Sequence, residues 1–181
     1  MNQQQKASIA NLANKYGRQV FHSAYRLLSD CHQAEDVTQE VFLKLFKKPT
    51  SAFDKIEHWP AYLKHMAISA AIDQLRRNTR LAEDPIEQLP IINEATDPCP
   101  SQHLAMQRDL VCFKSALLQL TTQDAQVFCL RHLEGHSYQE IAELLDISNS
   151  LVGVTLHRAQ EKLAHYLGES QYLGESHAIT N

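Results

Sequence analysis

Glycine and proline are scarce, 5 and 6 in 181 residues, and no run alternates apolar with polar side chains. That excludes the many turns and period-two strands of a sandwich or barrel and predicts an all-α protein. No uninterrupted apolar stretch reaches the roughly 20 residues a membrane helix needs. The first residues, MNQQQKASIANLANKYG, lack the core of a signal peptide. No membrane insertion and a cytoplasmic location are expected. The four cysteines, Cys31, Cys99, Cys112 and Cys129, form no CxxC pair and are expected to be reduced thiols. Cys129, His132 and His136 make a C-x-x-H-x-x-x-H run. With no second ligand pair, ordinary helix residues are the better reading than a zinc site. No glycine-rich phosphate loop and no nucleophile constellation is visible, so no catalytic residue, metal or cofactor is predicted and the chain is not expected to be an enzyme.

Positive charge is also short, with 17 Lys and Arg against 21 Asp and Glu, and its distribution is uneven. Residues 1–80 hold 12 basic against 7 acidic side chains, a balance of +5. Residues 81–116 hold 2 against 6 (−4), and residues 117–181 hold 3 against 8 (−5). Phosphate contacts usually dominate nucleic-acid affinity. Any DNA-binding module in the acidic half should therefore bind poorly without help.

Such a module is visible. The stretch SYQEIAELLDISNSLVGVTLHRAQEK, Ser137 to Lys162, reads as a helix-turn-helix. Ser137 and Glu140 have the spacing of a capping box. Ile141, Ala142, Leu144 and Leu145 make one apolar face. Asp146-Ile147-Ser148 forms a short break, with Ser148 as the next N-cap. In the second helix Val152, Leu156, Ala159 and Leu163 lie on one stripe. Asn149, Ser150, Gly153, Thr155, His157 and Arg158 are expected on the other face. A major-groove reader needs this arrangement. An αα-hairpin inside a bundle produces the same periodicity.

The rest of the chain is helical in the same sense. Residues 5–29 carry Ile9, Leu12, Ala13, Tyr16, Val20, Ala24, Leu27 and Leu28 at helical spacing, and Gly17 is a candidate break between two helices. Ala34 to Lys48 is amphipathic, with Val37, Val41, Phe42 and Leu45 inward. Pro49 to His58 reads as a loop. Trp59 to Asn78 is the next helix; it ends in Arg76 and Arg77, with Arg80 just beyond and Asp73 in reach of the first two. Residues 82–103 hold four of the six prolines and five acidic side chains, and read as a linker. Leu104 to Leu120 is helical, with Leu104, Leu110, Val111, Phe113, Leu117 and Leu118 as core. Thr121 to Asp124 opens a further helix that Gly135 follows. The tail repeats YLGES at 166–170 and 172–176. Gly168 is expected to stop the preceding helix and leave a frayed end.

Three of these segments, in this order, resemble a known family. AEDVTQEVFLKLF, AYLKHMAISAAIDQLRR and LTTQDAQVFCLRHLEGHSYQEIAELLDISNSLVGVTLHRAQEKL resemble segments of bacterial sigma-70 family factors of the extracytoplasmic-function (ECF) subgroup. The resemblance covers about Tyr16 to Tyr166. It implies two helical domains, 5–81 and 104–167, joined by the Pro-rich acidic linker 82–103 and followed by a flexible tail, 168–181. It implies that Asp36, Gln39 and Glu40 dock on the β′ clamp helices of core RNA polymerase. Arg76, Arg77 and Arg80 would hold the −10 element. The C-terminal domain would dock on the β flap. Asn149, Ser150, Gly153, Val154, His157 and Arg158 would read the −35 element. An anti-sigma factor is an expected partner, beside core polymerase and promoter DNA. The chain departs from the family at Ile68-Ser69, where Arg-Asn is usual, and at Gly153 and Thr155, where basic residues are common. Val154 replaces a frequent serine.

Two rival readings use the same residues. A conventional repressor or activator would dimerise and bind a palindrome without polymerase. A helical adaptor would use the helix-turn-helix only for packing.

Overall fold

The computed structural model describes residues 3–83 and 100–176, with side chains placed at 3, 5–80 and 109–168. Every regular element among the described residues is a helix. Most of the expected linker lies outside the described residues, as do Cys99 and the last five residues.

The N-terminal domain is built from α1 (Gln3–Leu28), α2 (Cys31–Lys47), α3 (Thr50–Phe53) and α4 (Trp59–Glu83). α1 runs unbroken through Gly17, so the expected division into two helices is wrong. A mid-helix glycine costs about 1 kcal/mol relative to alanine. Burial of Ile9, Val20, Ala24 and Leu27 against α2 and α4 outweighs that, because each large apolar side chain buried contributes about 1.5–3 kcal/mol. α2 begins three residues before the expected start because Asp30 is its N-cap, accepting from the Gln33 N–H at 2.9 Å. Ala34, Val37, Val41 and Leu45 are buried on its inner stripe. The segment read as a loop contains the short α3, whose Phe53 packs its ring 4.5 Å from that of Trp59.

The C-terminal domain comprises α5 (Pro100–Leu118), α6 (Thr122–His132), α7 (Tyr138–Leu145) and α8 (Asn149–Ser176). α8 passes through Gly168, the residue expected to stop it. Val111, expected in the core, is 62% exposed, whereas Leu117 and Leu120 are buried. Leu104 has no described side chain. Leu117, Leu130, Ile141, Val152, Leu156 and Leu163 make the core that sets α7 against α8.

The two domains also pack on each other, with α4 against α5, α6 and α7. Lys64 of α4 meets Glu134 at 3.0 Å, and Arg26 of α1 meets the same carboxylate at 3.5 Å. The Glu134 side chain is only 2% exposed. Lys114 of α5 donates to the Leu28 carbonyl at 2.5 Å. Gln126 of α6 donates to Ser69 of α4 at 2.9 Å. His65 and His136 also lie in this seam, with His65 Nδ1 and His136 Nε2 buried and unpartnered among the described residues. Burial, then the nearby His136, lowers the His65 pKa and keeps its imidazole neutral.

Candidate nucleic-acid interface

The helix-turn-helix forms for local reasons. Ser137 Oγ accepts from the Glu140 N–H at 3.2 Å, and Glu140 Oε2 accepts from the Ser137 N–H at 2.7 Å. The capping box read from the sequence is therefore complete. α7 ends at Asp146, which takes the left-handed conformation at φ 54°. Aspartate tolerates that region better than most residues. Ile147 tucks back onto the core, and Ser148 Oγ accepts from the Leu151 N–H at 3.2 Å, capping α8. Three residues thus turn the chain between two capped helices.

α8 then presents its polar face to solvent, with two exceptions. Asn149, Ser150, Val154 and His157 are exposed, and Gly153 is partly so beneath the Tyr138 ring. A Cβ at Gly153 would lie 3.6 Å from that ring, an ordinary contact, so packing does not demand glycine there. Thr155, expected on the outer face, is fully buried. It lies on the flank of the Val152–Leu156–Ala159 stripe, close enough to be drawn in. Arg158 is half-exposed, but its guanidinium is tied to the buried Asp124 of α6, with Nε at 3.0 Å from Oδ1. Lys162 reaches the other oxygen at 3.4 Å. Asp124 is also the N3 residue of α6, where its backbone N–H bonds to Thr121 Oγ1 at 3.1 Å.

Burial alone would raise the Asp124 pKa. The Arg158 hydrogen bond, that of Thr121, the Arg158 charge and Lys162 outweigh it and hold the carboxyl below its ordinary value. Such a group stabilises the fold above its unfolded pKa of about 4 and loses that contribution as pH falls through the folded value. Asp124→Asn is therefore expected to melt at a lower temperature than the parent at pH 7. The gap between the two melting temperatures should close below about pH 4. A constant gap down to pH 2, read by circular dichroism, would refute this role for the pair.

The arginines at the end of α4 divide. Arg77 pairs with Glu40 of α2 at 3.5 Å, not with Asp73. Arg80 joins them in an open cleft of about 350 Å³ lined by Glu40, Asp73, Arg76, Arg77 and Arg80. Arg76 turns into the domain seam, bonding the Leu120 carbonyl at 2.9 Å and the Thr122 hydroxyl. Ile68 is fully buried, so it packs the core and has no access to a base.

On α2, Asp36 and Gln39 are exposed on the face opposite the buried stripe. Glu40 is set to one side and bonds Lys44 at 2.8 Å. The Lys44 hydrogen bond is the largest influence on Glu40; with the charges of Lys44 and Arg77 it outweighs burial and lowers the pKa. Sequence reasoning missed two neighbours of Asp36 and Gln39, Leu43 (57% exposed) and Phe46 (37% exposed). Their spacing, i+4 and i+7 from Gln39, was the available signal.

Two family models match this arrangement of domains. Sigma-70 region 2 matches residues 12–81, and Sigma-70, region 4 matches residues 110–163. The chain belongs to the sigma-70 family. Its relatives place it in the ECF subgroup. The chain is 31% identical over 148 residues to the RNA polymerase sigma-E factor of Streptomyces avermitilis, covering 82% of this chain and 78% of that one. It is 28% identical over 159 residues to the ECF RNA polymerase sigma factor SigE of Mycolicibacterium smegmatis, covering 87% of this chain but only 61% of that relative's length. Among solved structures, the sigma factor RpoE from Bartonella quintana, in complex with the anti-sigma factor NepR, is similar in fold. The TM-score is 0.52 at 21% identity, over 89% of this chain and 97% of that one.

Within this family the acidic balance of region 4 has a physical reading. Two weak DNA contacts on one polypeptide gain effective concentration when a larger assembly holds both. The C-x-x-H-x-x-x-H residues diverge in space. Cys129 is fully buried, its thiol pushed up to about 12 by burial and then by Glu134. His132 is exposed on α6 against Phe128, and His136 faces the seam. No group of three metal-binding side chains lies together among the described residues. No described helix is long and apolar enough to cross a membrane.

Proposed function

We propose that this ECF sigma factor binds core RNA polymerase and directs promoter-specific initiation, with region 2 on the −10 element and region 4 on the −35 element. The polymerase forms the bonds, and the chain contributes recognition only. The observation that carries the reading is one chain holding region 2 and region 4 in order, with the outer face of its recognition helix open to solvent.

Asp36 and Gln39, with Leu43 and Phe46 beside them, form the face for the β′ clamp helices. Arg77 and Arg80, free of the seam, take the −10 backbone. Arg76 joins them only when the seam parts, because its guanidinium is occupied by Leu120 and Thr122. Asn149, Ser150, Gly153, Val154 and His157 face the −35 groove. Arg158 acts first as the partner of Asp124 and reaches DNA only from the edge of that pair. Region 4 docks on the β flap. An anti-sigma factor is the regulatory partner, the kind of partner with which the Bartonella protein was solved.

Run-off transcription with core polymerase on a library of genomic fragments tests the reading. Selective initiation, dependent on both the chain and two spaced elements, is expected. Tight binding of a palindrome by the chain alone, without core, would replace this reading with that of a conventional regulator.

A further inference from the structure

We infer that Val154 reads a thymine in the −35 element, by contact with its C5-methyl group; the inference rests on the proposed assignment of α8 to the −35 groove. The buried residues of α8, Val152, Thr155, Leu156, Ala159 and Leu163, define its inner arc. At 100° per residue, Ser150, Val154, His157 and Glu161 fall on the opposite arc, with Val154 about 25° from the point facing directly away from the inner arc. Val154 is 61% exposed and does not belong to the hydrophobic core. A β-branched residue is a poor choice for an exposed helix position on propensity grounds. It does offer a stiff apolar knob, because valine in a helix holds essentially one χ1 rotamer.

Asn149, Ser150 and His157 remain open for base edges beside it, but the other candidates are withdrawn. Arg158 and Lys162 are held by Asp124. Thr155 is buried, and Gly153 has no side chain. His157 lies 3.4 Å from Glu161 on the far side of Val154 from the helix start. Base edges in the major groove present hydrogen-bonding groups apart from one apolar feature, the thymine methyl. An apolar knob on a groove-facing arc is matched to that feature and to no other.

The test uses holoenzyme reconstituted from the full chain and core polymerase, on a promoter whose −35 element has been mapped by run-off transcription. Each thymine of that element is replaced in turn by deoxyuridine, which removes only the methyl group. One replacement is expected to lower initiation about fourfold, the value of one methyl removed from water. Val154→Ala holoenzyme should be indifferent to that same replacement, and Val154→Ile should recover the sensitivity. The alanine variant raises helix propensity, and its melting temperature verifies that α8 is intact. The inference is overturned if no single replacement matters while scrambling the −35 element still abolishes initiation. It is equally overturned if the sensitive thymine is unchanged in Val154→Ala. Initiation unmoved by scrambling the −35 element overturns the underlying assignment of α8 as well.

Discussion

Replacing Glu134 by alanine is expected to separate regions 2 and 4 of the free chain while leaving each folded. Glu134 follows α6, and its almost completely buried carboxylate receives Lys64 from α4 and Arg26 from α1. Removing one partner of a fully buried ion pair costs about 3–5 kcal/mol. Here both cations reach solvent, Arg26 at 52% and Lys64 at 27% side-chain exposure. Solvent screening reduces the loss to about 1–2 kcal/mol. Because each 1.4 kcal/mol is a factor of about ten in an equilibrium constant, the open population should rise about tenfold. Small-angle scattering of the free chain would show a larger radius of gyration, with the helical circular-dichroism signal unchanged. An unaltered scattering curve would show that the carboxylate does not hold the domains together. Arg76, released with the seam, should become available to DNA, so the variant should bind a single-stranded −10 oligonucleotide more tightly than the parent.

The second large effect is expected at Leu43. Its side chain stands between Asp36 and Gln39 on one side and Phe46 on the other, on the face of α2 turned away from Val37, Val41 and Leu45. A few buried apolar anchors carry most of the energy of a protein interface, at about 2 kcal/mol or more each. Leu43→Asp places a charge at the centre of that patch and should weaken core-polymerase binding by about 30-fold. The fold should be indifferent, because the residue is already more than half in water. Asp36→Ala and Gln39→Ala, at the polar rim, should cost far less. Titration of labelled core with the Leu43→Asp chain decides the matter. Affinity equal to the parent's would remove α2 from the polymerase interface.

Local chemistry was legible in the sequence, and long-range pairing was not. The capping box of Ser137 and Glu140 and the Ser148 cap depend on residues three positions apart, and both are present. The inner stripe of α2 follows from period alone. Thr155 was misplaced because it lies at the border of its helix's apolar arc, where periodicity does not decide. Arg158 read as a free basic residue because its partner, Asp124, lies 34 residues upstream. Gly17 read as a break because propensity was weighed without the packing of α2 and α4 that overrides it. The seam was beyond reach entirely. Arg76 and Thr122 are 46 residues apart, and Gln126 and Ser69 are 57 apart; neither pair shares a helix period.

The seam occupies one arginine of the −10 surface and leaves the recognition helix bare, and this has a kinetic consequence. Arg76 is engaged while Asn149, Ser150 and Val154 are open to water. On the proposed assignment, the free subunit offers its −35 face and Arg77 and Arg80 at no conformational cost, and adds Arg76 to the −10 contact only after a bond-breaking step. On that assignment the last −10 contact arrives late: whatever prises the domains apart sets the clock for completing it, and the recognition helix chooses where that clock starts.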